Sequence, residues 1–380
     1  MAACSTLGFL HSKPQYAYVT NAGSSNVSAY RINATTGALT PVPGSPFAAG
    51  LRPSSVAANP AGTFVYVTSA NDDTVTAYSI NATTGALTQV PGGSSPTEGA
   101  PNSVTINSAG TFAYVANETS NNVSVYSINA ANGSLTPIPG SPFGTGEPPN
   151  LTVGIGFASG PFPYAVAVNP AGTFAYVANY GSSSISAYRI NAATGALTPV
   201  VGSPFHAGLL PDSFAVSPAG TFAYVTNYND GNVAAYRINA TTGALTSVSG
   251  SPFAANAPTS VTVNPASTFA YVANDFQYST TYYDCGSAGV SGVCSSINVY
   301  KINAVTGALT ALPGRPVSAG VQPSGVTVSS AGRFVYVANY GSHSISAYRI
   351  NAATGALTPV TGSPFPAGLG PTSIAVAQPR

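Results

Sequence analysis

The chain has 380 residues, of which 44% are hydrophobic and 5% are charged, and its formal net charge is +1. Because the bases form no run, the positive surface of a nucleic-acid-binding protein is absent, and no apolar run approaches the roughly 18 residues of a membrane span. A surface with so few charges must be solvated by Ser, Thr and Asn, a composition common in secreted, periplasmic and cell-surface β proteins.

The first 15 residues precede the first predicted strand and form an N-terminal tail. Its start, Met1-Ala2-Ala3-Cys4-Ser5, resembles the end of a bacterial lipobox with Met in place of the usual Leu. No apolar signal region precedes it. A lipoprotein attached through Cys4 and an incidental cysteine are therefore both open interpretations.

A tyrosine-centred motif, YVAN, YVTN or YVTS, recurs along the whole chain. Its tyrosines are 47 or 48 residues apart except at two longer intervals of 62 and 65, which carry insertions at about 147–161 and 275–295. The motif tyrosines are Tyr18, Tyr66, Tyr114, Tyr176, Tyr224, Tyr271 and Tyr336. A fixed period of this length predicts a repeat architecture with seven units.

The fourth copy shows the predicted unit most clearly. Short apolar or alternating runs at 164–168, 174–178, 185–190 and 197–200 are separated by Gly-, Pro- and Asn-containing turns. In the turn NAATG, Asn191 can close an Asx turn and Gly195 can supply a positive φ. Four short strands per unit, with no helical pattern between them, indicate an antiparallel meander and argue against a parallel α/β fold.

Strands such as FAYVA are apolar on both faces, which favours sheets stacked radially in a β-propeller, with a solenoid as the alternative. The chain opens in a second strand, at 16–20, and ends on an innermost strand, at 373–377. Pairing of the last strand with the first three would close a ring. The sequence thus predicts one all-β domain, a seven-bladed propeller over 16–380, with blade one shared by 16–42 and 372–377.

The motifs YVAN, NATTGALTPV and PxSVAVNPAGTFAYVAN resemble those of the YVTN-repeat propellers and of the wider lactonase group, which includes the 6-phosphogluconolactonase-type seven-bladed propellers. The resemblance covers essentially the whole chain and implies the propeller fold. In the lactonases, histidines recur directly after the Pro that opens the innermost strand. None of the seven matching positions here is His, so these positions carry over no lactonase residue.

A propeller meander sorts its loops onto two faces. The top face holds the loops from an outer strand to the next innermost strand and from the second to the third strand. All nine acids fall there: Asp72, Asp73, Glu98, Glu118, Glu147, Asp212, Asp230, Asp275 and Asp284. Five bases recur near the bottom end of the third strands, where their stems can cover apolar surface: Arg31, Arg189, Arg237, Lys301 and Arg349. An acidic top face would attract cations or polar ligands, unless variable loops simply carry the charge that the repeat lacks.

The residue after each opening Pro should ring the mouth of the central channel. These ring residues are the predicted ligand-binding positions: Ser54, Asn102, Tyr164, Asp212, Thr259, Ser324 and Thr372. Only Asp212 among them is a carboxylate, whereas general acid–base catalysis needs paired titratable groups. Glu147, His206 and Asp212 form the best catalytic candidate, against the alternative that each is an ordinary solvated loop residue.

The insertion at 275–295 adds Tyr278, Tyr282 and Tyr283, and tyrosines beside acids suit a saccharide or another small polar ligand. We therefore add Tyr282 and Tyr283 to the ligand-binding candidates, with a decorated rim that binds nothing as the alternative. Nothing stands at metal-ligand spacing, so no metal or cofactor is predicted, with Ca²⁺ on these loops as the alternative.

Two functions follow. The first is a secreted or surface-attached module that binds a saccharide, a small polar ligand or a protein through its acidic top face. The alternative is a lactone hydrolase of the 6-phosphogluconolactonase-like type with an atypical site. The sequence does not indicate an oligomeric state.

Cys285 and Cys294 lie nine positions apart in a Gly- and Ser-rich loop, which predicts a disulfide and an oxidising compartment; two free thiols in a reducing cytosol are the alternative. We expect neither thiol to react with a maleimide in the folded protein before reduction, and both to react afterwards. Mass spectrometry of the labelled peptides checks this, and rapid labelling of both without reductant would contradict it.

Overall fold

The computed structural model describes residues 13–146, 160–275, 295–314 and 316–379. Over these residues the chain forms seven antiparallel sheets, six built from successive strands and one from strands of both chain ends, and these are the blades of a propeller. All secondary-structure elements assigned in the described residues are β-strands. No helix in this part of the chain is therefore long and apolar enough to cross a membrane.

Each blade runs from an innermost strand at the channel to an outer strand at the rim. The innermost strands of blades one to seven are Pro371–Ala377, Pro53–Ala58, Pro101–Ile106, Pro163–Val168, Pro211–Val216, Pro258–Val263 and Pro323–Val328. The second strands are Gln15–Asn21, Phe64–Ser69, Phe112–Asn117, Phe174–Asn179, Phe222–Asn227, Phe269–Asn274 and Phe334–Asn339. The third strands are Asn26–Ile32, Thr74–Ile80, Asn122–Ile128, Ser184–Ile190, Asn232–Ile238, Ser296–Ile302 and Ser344–Ile350.

The outer strand is continuous only in blade two, where it spans Leu87–Pro96. In the other six blades it is split into a three-residue and a two-residue piece, and both pieces pair with the third strand. The longer pieces are Leu39–Pro41, Leu135–Pro137, Leu197–Pro199, Leu245–Ser247, Leu309–Ala311 and Leu357–Pro359. The shorter ones are Phe47–Ala48, Phe143–Gly144, Phe205–His206, Phe253–Ala254, Val317–Ser318 and Phe365–Pro366.

Blade one is assembled from both ends of the chain. The last strand, Pro371–Ala377, pairs antiparallel with Gln15–Asn21, and Tyr18 lies opposite Ala375. The sheet order in this blade is outer, third, second and then the C-terminal strand. The predicted closure of the ring is therefore confirmed, and the solenoid alternative is excluded.

The second strands form the core, because both of their faces pack against neighbouring blades. The strand Phe174–Asn179 is buried at every position, as are the equivalent strands of the other blades except for Gln15 at the start of the first. One apolar cluster fills the space between blades four and five, for example, and joins Tyr176 and Ile185 to Phe214 and Val225. A strand enclosed on both sides needs no polar face, which explains the continuous apolar sequence FAYVA.

Two sets of tyrosine hydroxyls tie each blade to its neighbours. Each motif tyrosine donates a hydrogen bond of 2.9–3.4 Å to a glycine carbonyl in the bottom turn of the next blade: Tyr18–Gly85, Tyr66–Gly133, Tyr114–Gly195, Tyr176–Gly243, Tyr224–Gly307, Tyr271–Gly355 and Tyr336–Gly37. Each third-strand tyrosine donates one of 2.5–2.9 Å to the rim of the preceding blade: Tyr30–Pro366, Tyr78–Ala48, Tyr126–Pro96, Tyr188–Gly144, Tyr236–His206, Tyr300–Ala254 and Tyr348–Ser318. Since buried hydroxyls need partners, these pairs also fix how neighbouring blades align.

The recurrent bases of the third strands have a structural role at the bottom face. The guanidinium of Arg189 lies 4.9 Å from the ring centroid of Phe174 and donates a hydrogen bond of 2.6 Å to the carbonyl of Thr241 in the next blade. Arg237 and Arg349 make the equivalent contacts. Three of these bases therefore bridge neighbouring blades in addition to covering apolar surface.

The glycine of each NATTG-type turn packs on an aromatic ring of the preceding blade. At Gly195, φ is +76°, and a β-carbon would lie 2.5 Å from Cδ1 of Phe112. Gly92 has a similar φ of +65°, yet a β-carbon there would have no neighbour within 4 Å. The two positions therefore separate the cost of the backbone conformation from the cost of the collision.

We expect Gly92→Ala to lower the free energy of unfolding by about 1 kcal/mol, because alanine pays only for its positive φ. Gly195→Ala should lower it by about 3 kcal/mol, because the collision with Phe112 adds an overpacking cost. Urea denaturation followed by circular dichroism measures both values. Equal losses in the two variants would show that the glycine–aromatic contact does not constrain the junction between blades.

Candidate functional site

The top end of the channel opens into a cavity of about 360 Å³, which we call the central cavity. All seven ring residues line it: Ser54, Asn102, Tyr164, Asp212, Thr259, Ser324 and Thr372. Arg52, Asp275, Gln322 and Tyr340 also line it. The structure thus brings together in one place side chains that the sequence spreads over the entire chain.

The backbone before each opening Pro explains how the ring residues are aimed. The preceding residue has a positive φ in all seven blades, from 46° at Phe162 to 61° at Gly370. The others are Arg52, Ala100, Leu210, Ala257 and Gln322. This left-handed residue reverses the chain at the top of each blade, so that the residue after the Pro enters the channel mouth.

Four ring hydroxyls are used to hold neighbouring blades together. Each donates a hydrogen bond of 2.5–2.9 Å to the carbonyl of the opening Pro in the next blade: Thr259–Pro323, Ser324–Pro371, Thr372–Pro53 and Ser54–Pro101. These residues belong to blades six, seven, one and two, and we call them the hydroxyl arc. Their protons are committed to the protein and cannot be donated to a ligand without breaking these bonds.

A second tier of bonds lies one residue further along the innermost strands. Ser55 accepts the N–H of Val104 at 3.3 Å, and Ser103 accepts that of Val166 at 3.2 Å. Ser213, Ser260 and Ser373 do the same toward their next blades. The serine of the PxSV motif therefore has a structural explanation.

The remaining three ring residues, Asn102, Tyr164 and Asp212 of blades three to five, form what we call the open sector. The amide of Asn102 donates to the carboxylate of Glu118 instead of to the next blade. Tyr164 is 37% exposed, and its ring lies 5.2 Å from the ring of Tyr180, centroid to centroid. Among the ring residues, the side chains that can contact a ligand are thus concentrated on one side of the central cavity.

Asp212 is held in its protonated form at neutral pH. Burial, the larger cause, and the nearby negative charge of Asp275 together raise the pKa of its carboxyl to about 8. The pKa of Tyr164 is also raised, chiefly by the charge of Asp212 and by burial, and Arg52 partly opposes this. The central cavity therefore presents the protonated carboxyl of Asp212 beside the carboxylate of Asp275 and the neutral phenol of Tyr164.

The predicted catalytic trio is not assembled by the described residues. His206 is an exposed residue of the two-residue outer strand Phe205–His206, opposite Ser184 at the rim of blade four, and it does not line the central cavity. Its carbonyl accepts the hydroxyl of Tyr236. Glu147 lies outside the described residues, as do Tyr282, Tyr283, Cys285, Cys294 and Cys4.

A second set of residues lies at the mouth, and the sequence placed only its two acids on the top face, although the repeat marks all four positions. Glu118, Tyr180, Asp275 and Tyr340 each follow the asparagine that ends a YVAN motif. Asp275 and Tyr340 line the central cavity, while Glu118 and Tyr180 contact residues that do. The position directly after the YVAN motif, at the end of the second strand, therefore marks these four residues in the sequence.

Three acids of the top face have local structural roles. Asp72 accepts the N–H of Leu51 at 2.6 Å, Asp73 that of Ala100 at 2.7 Å, and Asp230 that of Leu209 at 2.8 Å. These bonds close top loops and favour the structural interpretation of these three charges. Across the described residues, His, Cys, Asp and Glu form no group of three that could hold a metal ion.

Comparison with known proteins agrees with this architecture. A family model described as a lactonase, seven-bladed β-propeller, matches residues 8–153, 151–263 and 252–370. No curated protein matches the chain.

Solved structures share the fold at low identity. A protein of Bacteroides uniformis, provisionally described as a 6-phosphogluconolactonase, is 19% identical, with a TM-score of 0.80 over 96% of this chain and 100% of that one. The periplasmic gluconolactonase PpgL of Pseudomonas aeruginosa is 18% identical, with a TM-score of 0.76 over 96% of this chain and 99% of that one.

The raised pKa of Asp212 predicts a pH-dependent stability. Between pH 3.8, the usual pKa of the group, and about pH 8, the folded state holds a proton that the unfolded state releases. The stability that this bound proton contributes is therefore lost as the pH rises to about 8. Relative to Asp212→Asn, the wild type should therefore lose about 2 kcal/mol or more of unfolding free energy between pH 4 and pH 8.

Urea denaturation of both proteins at several pH values measures this difference. In an Asp275→Asn background the change should keep its sign and become smaller, because burial, its larger cause, remains. A difference between wild type and Asp212→Asn that does not vary with pH would contradict the prediction.

Proposed function

The chain belongs to the lactonase family of seven-bladed β-propellers, and from this membership we propose that it hydrolyses a small polar lactone in the central cavity. One observation carries the proposal. Asp212 and Asp275 line the same cavity, and the charge of one helps to keep the other protonated. Two carboxyl groups whose protonation states are pushed apart are the arrangement that acid–base catalysis requires.

In the proposed reaction, Asp275 accepts a proton from a water molecule, whose oxygen attacks the lactone carbonyl carbon. The guanidinium of Arg52 stabilises the negative charge that develops on the carbonyl oxygen. Asp212 donates its proton to the ring oxygen as the acyl C–O bond breaks. The product is a hydroxy acid, and the proton on Asp275 returns to Asp212 through solvent, which restores both groups.

Two solved structures support a sugar lactone as the substrate class. The Pseudomonas neighbour is a gluconolactonase, and the Bacteroides neighbour is provisionally described as a 6-phosphogluconolactonase. The central cavity of this chain, about 360 Å³ in volume and rich in hydroxyl, amide and carboxyl groups, has the size and polarity for a single sugar ring.

A ligand-binding module is the second candidate, and the half-exposed ring of Tyr164 beside Tyr180 favours it. A pair of aromatic rings, here tilted by 31° to each other, next to polar groups can hold a saccharide without any chemistry. This function needs Tyr164 but not the proton held by Asp212. The two candidates therefore differ in the effect that Asp212→Asn should have.

We also propose that the protein works outside the cytosol, in the periplasm, at the cell surface or in the medium. The low share of charged residues supports this, as does the periplasmic location of the Pseudomonas neighbour.

We expect wild-type protein to hydrolyse glucono-δ-lactone and Asp212→Asn and Asp275→Asn each to lower kcat/KM at least about 10²-fold, because each removes one of the two proton-transfer groups. Asp230→Asn, the same change in a carboxylate that only closes a top loop, should keep full activity. Activity of the wild type should fall above about pH 8 as Asp212 loses its proton.

A pH-stat assay measures the acid released and subtracts spontaneous hydrolysis. Saccharide binding by the wild type without turnover of any lactone in a panel would favour the binding module. Full turnover by both cavity variants would overturn the assigned roles of Asp212 and Asp275.

A further inference from the structure

We infer that the central cavity selects an uncharged polyhydroxy lactone and rejects its phosphorylated counterpart. The inference rests on the proposed function and names the substrate class of the same site. It follows from where the chain places its few charges and from which hydrogen-bonding groups remain available in the open sector.

The central cavity has one cation against several carboxyl groups. Arg52 is the only Lys or Arg among the described residues that line it. Asp212 and Asp275 line it too, and Glu118 contacts the lining residue Asn102. With Asp212 protonated, two carboxylates face one guanidinium, so a phosphate dianion would enter a site of the same sign.

The other described bases lie elsewhere in the fold. Arg31, Arg189, Arg237, Lys301 and Arg349 occupy the bottom ends of third strands. Arg333 lies over the ring of Phe334, at the start of a second strand, and so at the bottom face. Lys13 precedes the second strand of blade one, and its carbonyl accepts the side-chain amide of Gln378. Arg315 and Arg380 lie outside the described residues.

The two insertions cannot supply a base either. In sequence, 147–161 and 275–295 contain no Lys or Arg, and they carry Glu147, Asp275 and Asp284. Sites that bind phosphate use several cationic side chains, bidentate arginines or helix N-termini. The described chain has no helix, and its central cavity has a single arginine.

The hydrogen-bonding groups of the open sector also favour an uncharged polyhydroxy lactone over a phosphorylated one. Carboxylates only accept hydrogen bonds, and so does a phosphate dianion, whereas each sugar hydroxyl can donate one. The carboxylate of Glu118 receives the amide of Asn102 through Oε2 alone and keeps further acceptor capacity. A polyhydroxy ring over the exposed face of Tyr164 would thus find acceptors for its hydroxyl protons.

The test compares kcat/KM of the wild type for glucono-δ-lactone and 6-phosphoglucono-δ-lactone at low salt. We expect a preference of at least about tenfold for the unphosphorylated substrate, which shrinks as salt screens the carboxylates. Glu118→Gln removes one negative charge beside the cavity and should narrow the preference roughly fivefold. Asp230→Asn removes the same charge from a loop outside the cavity and should leave the ratio unchanged.

Equal or faster turnover of the phosphorylated lactone by the wild type would overturn the inference and leave the proposed hydrolysis intact. If neither lactone is turned over, the proposed function fails, and calorimetry with glucose and glucose 6-phosphate then decides the selectivity. Tighter binding of glucose would support the inference. Equal binding, tighter binding of the phosphate ester or no binding of either sugar would overturn it.

Discussion

The hydrogen bond from each motif tyrosine to the next blade is the interaction on which the rest of the structure depends. A blade cannot bury either face alone, so each junction must hold two sheets in one alignment. The junction between blades seven and one, Tyr336 to Gly37 at 3.0 Å, has the same form as the junction between blades four and five, Tyr176 to Gly243 at 3.0 Å. The ring therefore closes without a special contact, and the paired chain ends in blade one complete it.

The same ring position serves two purposes, depending on its side chain. A Ser or Thr there bonds to the next blade and reinforces the ring, as Thr372 does toward Pro53. An Asn, Tyr or Asp gives up that bond and leaves its polar atoms in the central cavity. Blades three to five thus lose a stabilising contact where the site gains ligand-binding groups. Such local departures from a repeat are expected where function requires them.

The fold could be predicted from the sequence almost completely, because the same pattern of strands and turns recurs seven times and the strands at the two chain ends are the ones that close the ring. The ring residues could be located for the same reason, since one backbone position is repeated in every blade. The position of His206 relative to the channel could not be predicted, because closeness to Asp212 along a loop does not fix the distance from the channel axis. Five residues, 207–211, carry the chain from the rim at His206 to the mouth at Asp212. Asp275 could be predicted only as one acid of the top face, because it reaches the cavity from the end of a second strand, far from Asp212 in sequence.

Backbone strain near the site illustrates how a repeat changes the meaning of an unusual conformation. Non-glycine residues with positive φ often mark functional positions, and Arg52, with φ of 52°, lines the central cavity. Yet Leu210 and Ala257, with φ of 54° and 47°, have the same conformation with apolar side chains. The left-handed residue is therefore part of how every blade turns into the channel. What is particular to the site is that blade two places a guanidinium at this position, where it faces the carboxyl groups of the open sector and of Asp275.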